Sequence, residues 1–200
     1  MAKVKLHLAC GPVYLKGYIN IDAKGMLAAD NPVLTSQNAT NLVNYYKKPY
    51  VKRILGHDKR GKIVVDIQAN VLSLPMFKDD SVDEIIHVNL IDHLRFQDLP
   101  KALSEWRRIL KLGGKLIVDV GDVRSSARLL LMAKTREEIE WALRLIYCHS
   151  RDRYDSHHWG YFPRYLTMIM KEYDFLHVWT KHNYIKHIYP NFQCCFVKKG

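Results

Sequence analysis

No uninterrupted apolar run of about 18 residues occurs in this sequence, which excludes a helix crossing a membrane. The opening segment MAKVKLHLAC has too short an apolar stretch for a secretory leader and passes almost at once into strand-like sequence. The expected location is therefore the cytoplasm. Cysteine is scarce: Cys10, Cys148, Cys194 and Cys195 have no CxxC spacing, which argues against a disulfide ladder and for reduced, buried thiols. There are no internal repeats and no low-complexity linker. Acidic residues are in deficit, with 20 Asp and Glu against 31 Lys and Arg and a net charge of +11. Basic residues are scattered along the whole length. The one dense basic and aromatic patch, YYKKPYVKR (Tyr45 to Arg53), suits either a phosphate backbone or an amphipathic surface helix broken by Pro49.

What is present is a 200-residue chain with 48% hydrophobic residues, enough to bury a full core as one domain over 1–200. Strand-like runs recur at 4–9, 19–21, 62–65, 82–88, 115–120, 176–181 and 192–198. Helical segments lie between them. The segment DLPKALSEWRRILK predicts a helix capped by Asp98, with Pro100 in its first turn and Leu99, Leu103, Trp106 and Leu110 in one stripe. Gly113 and Gly114 return the chain to the next strand. Thr135 and Glu138 form a capping box for a second helix that buries Ile139, Ala142, Leu143 and Ile146. A third helix starts at Pro163 and runs to about Tyr173. Strands alternating with helices and closing on two consecutive strands predict an α/β fold. The expected sheet is doubly wound, seven-stranded and mostly parallel, with an antiparallel last strand and helices on both faces. Ligands of such sheets bind outside the carboxyl ends of the strands.

Three strand ends converge there: Cys10-Gly11-Pro12, Asp22, and His87 to Asn89. Gly11 allows a ligand close to the backbone, and Asp22 can accept two hydroxyl protons from a ribose. A dinucleotide fits poorly. Only Gly11 and Gly17 are present, Pro12 has no N–H to donate, and Asp22 follows Gly11 by eleven residues instead of about twenty. A nucleoside without phosphate suits so short a connection. Asp66, after IVV, reads as a strand-end residue.

The motifs LHLACGP, GYINID, LSLPMFKDDSVDEI, NLIDHL and LSEWRRILKLGGKLIVDVGD occur in this order over about residues 4–122. Together they resemble the class I S-adenosylmethionine-dependent methyltransferases, and within them the type 11-like branch whose first motif reads LNLGCGP…GWINID. The resemblance implies S-adenosyl-L-methionine as cofactor. It places Ala9, Cys10 and Gly11 under the methionine part and ribose, and Asp22 on the ribose hydroxyls. It also places Asn70 and Val71 at the adenine, and Asn89 and Leu90 at the sulfonium end. The sequence departs from the family pattern at Ala9 (usually Gly), Asn70 (usually Asp), Asp92 (usually Glu) and Leu112 (usually Pro).

Methyl transfer from a sulfonium needs alignment and exclusion of water, and a base only where the acceptor must lose a proton. Base candidates are Asp92 and His93 after the fourth strand, and Asp122, His149, Asp155, His157 and His158 in the segment 122–162. That segment is a substrate-side insertion expected over the crevice mouth, and of the whole set Asp92, His93, Asp122 and His157 are the catalytic residues expected. No metal is expected, because the adjacent His157 and His158 splay apart and no partner has a recognised ligand spacing. The sequence lacks the (N/D)PP(Y/F) turn of base-amino methyltransferases and the nucleophilic Cys of cytosine-C5 enzymes. The acceptor expected is accordingly a small molecule or saccharide. An RNA- or DNA-directed methyltransferase and a non-catalytic partner subunit are the alternatives.

Overall fold

A computed structural model describes residues 3–42, 62–150, 154–185 and 189–200. Among the described residues, seven strands form one sheet: β1 (Lys5–Leu8), β2 (Ile19–Asp22), β3 (Ile67–Gln68), β4 (Val82–Val88), β5 (Leu110–Gly121), β6 (Phe175–Ile185) and β7 (Tyr189–Lys198). Their spatial order is 3-2-1-4-5-7-6. Strands β1 to β5 pair in parallel, and β7 runs antiparallel between β5 and β6. This is the doubly wound, mostly parallel sheet expected, with its antiparallel closure. Strand order reverses between β1 and β4, which opens the crevice at their carboxyl ends.

The central strands are covered on both faces and so read as nearly continuous buried runs. Leu6, His7 and Leu8 of β1 are all buried, as are Ile85, Ile86, His87 and Val88 of β4. On one face the main core gathers Leu6, Leu8, Ile21, Leu116, Val118 and Phe196. Helix α1 spans Pro32–Asn38, and helices α2 (Leu99–Ile109) and α5 (Pro163–Glu172) pack into this core. Leu99, Leu103, Trp106 and Ile109 of α2 are buried, each contributing roughly 1.5–3 kcal/mol by leaving water. That sum exceeds any difference in helix propensity along the segment. A smaller cluster of Leu15, Ile86, Val88, Ile117 and Cys195 covers the other face.

Several sequence expectations shift. The KIVV segment is not in the main sheet: Val64–Val65 pair with Met26–Leu27, and the third sheet strand is Ile67–Gln68. Gly25 permits that side pairing, since a Cβ there would lie 2.9 Å from Ile63 Cγ2 and its φ is 144°. Asp98 makes no side-chain cap, because a 3-10 turn over Phe96–Asp98 already holds it in helical backbone. Leu110 opens β5 and does not complete the helical stripe.

Helices α3 (Val123–Met132) and α4 (Arg136–Tyr147) form an antiparallel pair after β5. The Thr135–Glu138 capping box is present. Helix α4 buries Ala142 and Leu145, however, leaves Ile139 and Leu143 exposed, and keeps Ile146 half-buried. The Tyr45–Arg53 patch lies outside the described residues. No helix among the described residues is long and apolar enough to cross a membrane.

Candidate functional site

At the end of β1 the chain turns through Ala9 (φ 48°) and Gly11 (φ 54°), both in the left-handed region. Nothing lies within 4 Å of the position a Cβ would take at Gly11, so the turn faces open space. The Gly11 N–H donates to Asp22 Oδ2 at 2.9 Å, tying the first turn to the end of β2. Asp22 Oδ1 accepts the Lys24 N–H at 3.2 Å. A carboxylate offers about four acceptor positions, so both oxygens keep capacity for further donors. Cys10 is buried, and its thiol lies 3.7 Å from the Val64 carbonyl. Burial, with the charges of Asp22 and Asp66, drives its pKa upward, so it stays an inert thiol. Asp66 accepts from the Asn20 N–H at 2.7 Å and the Tyr14 hydroxyl at 2.6 Å, which fixes it as a strand-end fastener.

Asn70 is exposed, and its Oδ1 accepts the Leu72 N–H at 3.0 Å. Val71 beside it is buried, and its carbonyl accepts the Trp106 indole N–H at 2.9 Å. Past β4, Asn89 turns through φ 49° while its N–H donates to the Asp119 carbonyl. Its Oδ1 accepts from Asn191 Nδ2 at 3.1 Å. Asn191 also donates to the buried Asp119 carboxylate at 2.8 Å, and Gln193 Nε2 lies 3.3 Å from its other oxygen. This amide–carboxylate network from β5 and β7 was not legible in the sequence. Only the antiparallel entry of β7 brings Asn191 to the same sheet end as Asn89.

Asp92, His93 and His157 come together behind Leu90, joined by Cys148. His157 Nε2 lies 3.4 Å from Asp92 Oδ2, and the His93 and His157 rings meet edge to face with centroids 4.7 Å apart. The Asp92 carbonyl accepts from the N–H groups of His158 and Trp159 at 2.7 and 3.3 Å, which fastens the 155–161 segment over the start of this loop. Burial holds His93 below its ordinary pKa. Asp122 caps α3: Oδ1 accepts from the Arg124 and Ser125 N–H groups, and Oδ2 from the Ser125 hydroxyl. His158 is exposed. Asp155 is buried and accepts from the Cys148 thiol at 3.5 Å.

A polar groove at the opposite end of the sheet is lined by Asp79, Asp80, Arg107, Arg108, Asp174 and Lys198. Its charges already neutralise one another in pairs, such as Lys198–Asp80 at 2.6 Å and Arg108–Asp79 at 2.7 Å. The strand-end crevice, with its open backbone turn and uncommitted carboxylate capacity, is the better binding site.

Residues 32–118 match the profile of a family described as a methyltransferase domain. An uncharacterized protein of Methanocaldococcus jannaschii is 42% identical over 81 residues, which make up 40% of this chain. The match spans only 34% of that relative's length. Among solved structures, a SAM-dependent methyltransferase of Methanosarcina mazei superposes with a TM-score of 0.57 at 15% identity, covering 100% of this chain and 94% of that one. A SAM-dependent methyltransferase of Archaeoglobus fulgidus gives 0.55 at 12% identity, over 98% and 86%. The magnesium protoporphyrin IX methyltransferase of Synechocystis, solved with bound SAH, gives 0.56 at 11% identity, over 99% and 74%. These likenesses are of fold.

Proposed function

We propose that this chain, which carries the fold of the class I S-adenosylmethionine-dependent methyltransferases, is such an enzyme and methylates a small molecule or saccharide. The observation that carries the reading is the Gly11–Asp22 junction. A carboxylate with spare acceptor capacity is clamped to a backbone turn that faces open space, at the switch point of the sheet. That arrangement fits an adenosine: the turn at Ala9, Cys10 and Gly11 accommodates a ligand against the backbone, and Asp22 takes two sugar hydroxyls. Asn70 and Val71 supply a polar edge and an apolar wall for the base. Asn89, fixed through Asn191, and Leu90 face the sulfur end.

When bound, S-adenosylmethionine supplies a methyl group on an already activated sulfonium. The chain's own task is to align the acceptor and exclude water, worth several kcal/mol of the barrier. We take residues 122–162 as the substrate-side segment. Asp122 acts by capping α3 and placing it beside the crevice, while Asp92, His93 and His157 hold the 155–161 segment in place. In this reading these four position the site without touching the acceptor.

The test is thermal unfolding with and without S-adenosylhomocysteine. At 100 times its dissociation constant the ligand is expected to add about 2.7 kcal/mol. Asp22→Ala is expected to abolish the rise while leaving a folded protein. Absence of a rise in the unaltered protein would overturn the reading.

A further inference from the structure

We propose that His93, His157 and Cys148, with Asp92 beside them, form a binding site for a divalent metal ion of the zinc class. One ligand atom from each of His93, Cys148 and His157 lies within 4.8 Å of the others. Ligands about 2.0–2.3 Å from a tetrahedral zinc are separated by roughly 3.3–3.8 Å, so modest side-chain rotation closes the set.

The hydrogen bonds around the cluster prepare it for a cation. His93 Nδ1 lies 3.1 Å from the Ser156 carbonyl, and His157 Nδ1 lies 3.2 Å from the Ile146 carbonyl. A carbonyl only accepts, so both Nδ1 atoms carry a proton, which leaves Nε2 as the ring nitrogen that each histidine can offer to a metal. A backbone carbonyl on one ring nitrogen is the arrangement that orients metal-ligating histidines. Asp92 is 4% exposed, and neither of its carboxylate oxygens has a hydrogen-bond donor among the described residues. The 3.4 Å contact of Oδ2 with His157 Nε2 does not make a hydrogen bond. A buried carboxylate without donors is costly, and a cation between these groups removes the cost. Two imidazoles, a thiolate and a carboxylate also balance the charge of a divalent ion, and nitrogen and sulfur donors select zinc over magnesium or calcium. Binding releases the thiol proton that Asp155 now accepts at 3.5 Å as a hydrogen bond.

Cys148 gives a further sign. It terminates α4 with φ 62° and ψ −161°, a conformation nearly confined to glycine. A cysteine held there has its side chain fixed by the surrounding fold. The metal would join the loop after β4 to two pieces far along the chain from it, the end of α4 and the 155–161 segment.

This inference goes beyond the methyltransferase reading and does not rest on it. The full chain is dialysed against zinc sulfate, passed over a chelating resin and assayed for metal by mass spectrometry, with no cofactor present. Close to one zinc per chain is expected. Replacement by cobalt is expected to give the sulfur-to-cobalt charge-transfer band and strong visible absorption of a tetrahedral thiolate site. Cys148→Ser, folded by circular dichroism, is expected to lose that band and to weaken zinc by at least about 100-fold, the upper end of what removing an outer-sphere partner costs. Clearly substoichiometric zinc, or a cobalt complex of the unaltered chain without the charge-transfer band, overturns the proposal. So does a Cys148→Ser chain that retains zinc undiminished.

Discussion

Ala9 holds a left-handed backbone (φ 48°), at the position where the motif that this sequence resembles has glycine. A side chain in that region costs about 1–2 kcal/mol, partly offset by the greater freedom glycine has when unfolded. Ala9→Gly is therefore expected to stabilise the protein by about 0.5–1 kcal/mol in urea titration, and to tighten nucleoside binding by clearing one methyl from the turn. His7 and His87 show a second single-residue effect. Both sit in the dry centre of the sheet, and burial lowers their pKa values to about 4 and about 3. Neither ring nitrogen of His87 has a partner among the described residues. The unfolded chain binds protons at these histidines below about pH 6.5, and the folded chain does not until pH 4 or 3. Stability is thus complete above pH 6.5 and falls as the pH drops, by about 1.4 kcal/mol per pH unit for each group. His87→Leu is expected to remove the share of that slope that His87 contributes, about 1.4 kcal/mol per pH unit between pH 6 and 4.5, measured by denaturation at a series of pH values.

Among the elements, α2 links packing to the site most directly. Trp106 is fully buried, and its indole N–H holds the Val71 carbonyl at 2.9 Å. Trp106→Phe keeps most of the apolar contact but leaves that carbonyl unpaired, at a cost of about 1–3 kcal/mol. It is also expected to weaken nucleoside binding measured by calorimetry, because Val71 loses its tether. The α2 stripe was legible because Leu99, Leu103 and Trp106 recur at helical spacing. The cap was not, because the 3-10 turn over Phe96–Asp98 that precedes the helix has no signature in the sequence pattern. The Gly11–Asp22 junction was readable since both residues stand at strand ends only eleven positions apart. The cluster of His93, Cys148 and His157 was not, since a helical hairpin separates His93 from the other two in sequence and the set has no spacing to recognise. KIVV misled for a related reason: its composition favours a strand, but its partner is set by Gly25, forty residues earlier.

For the molecule as a whole, the parallel order 3-2-1-4-5 follows from alternating strands and helices, and the closing pair from two strands without a helix between them. What the pattern of runs does not reveal is which closing strand enters the sheet first. Here β7 takes the inner position between β5 and β6, although it is made after both. During synthesis on the ribosome, β6 emerges with no strand to pair with, and Val118 and Val120 wait for Phe192 and Cys194 to cover their edge. The nascent chain must therefore carry an open seam until residues 189–198 clear the exit tunnel, and that seam is the stage of synthesis most exposed to edge-to-edge aggregation.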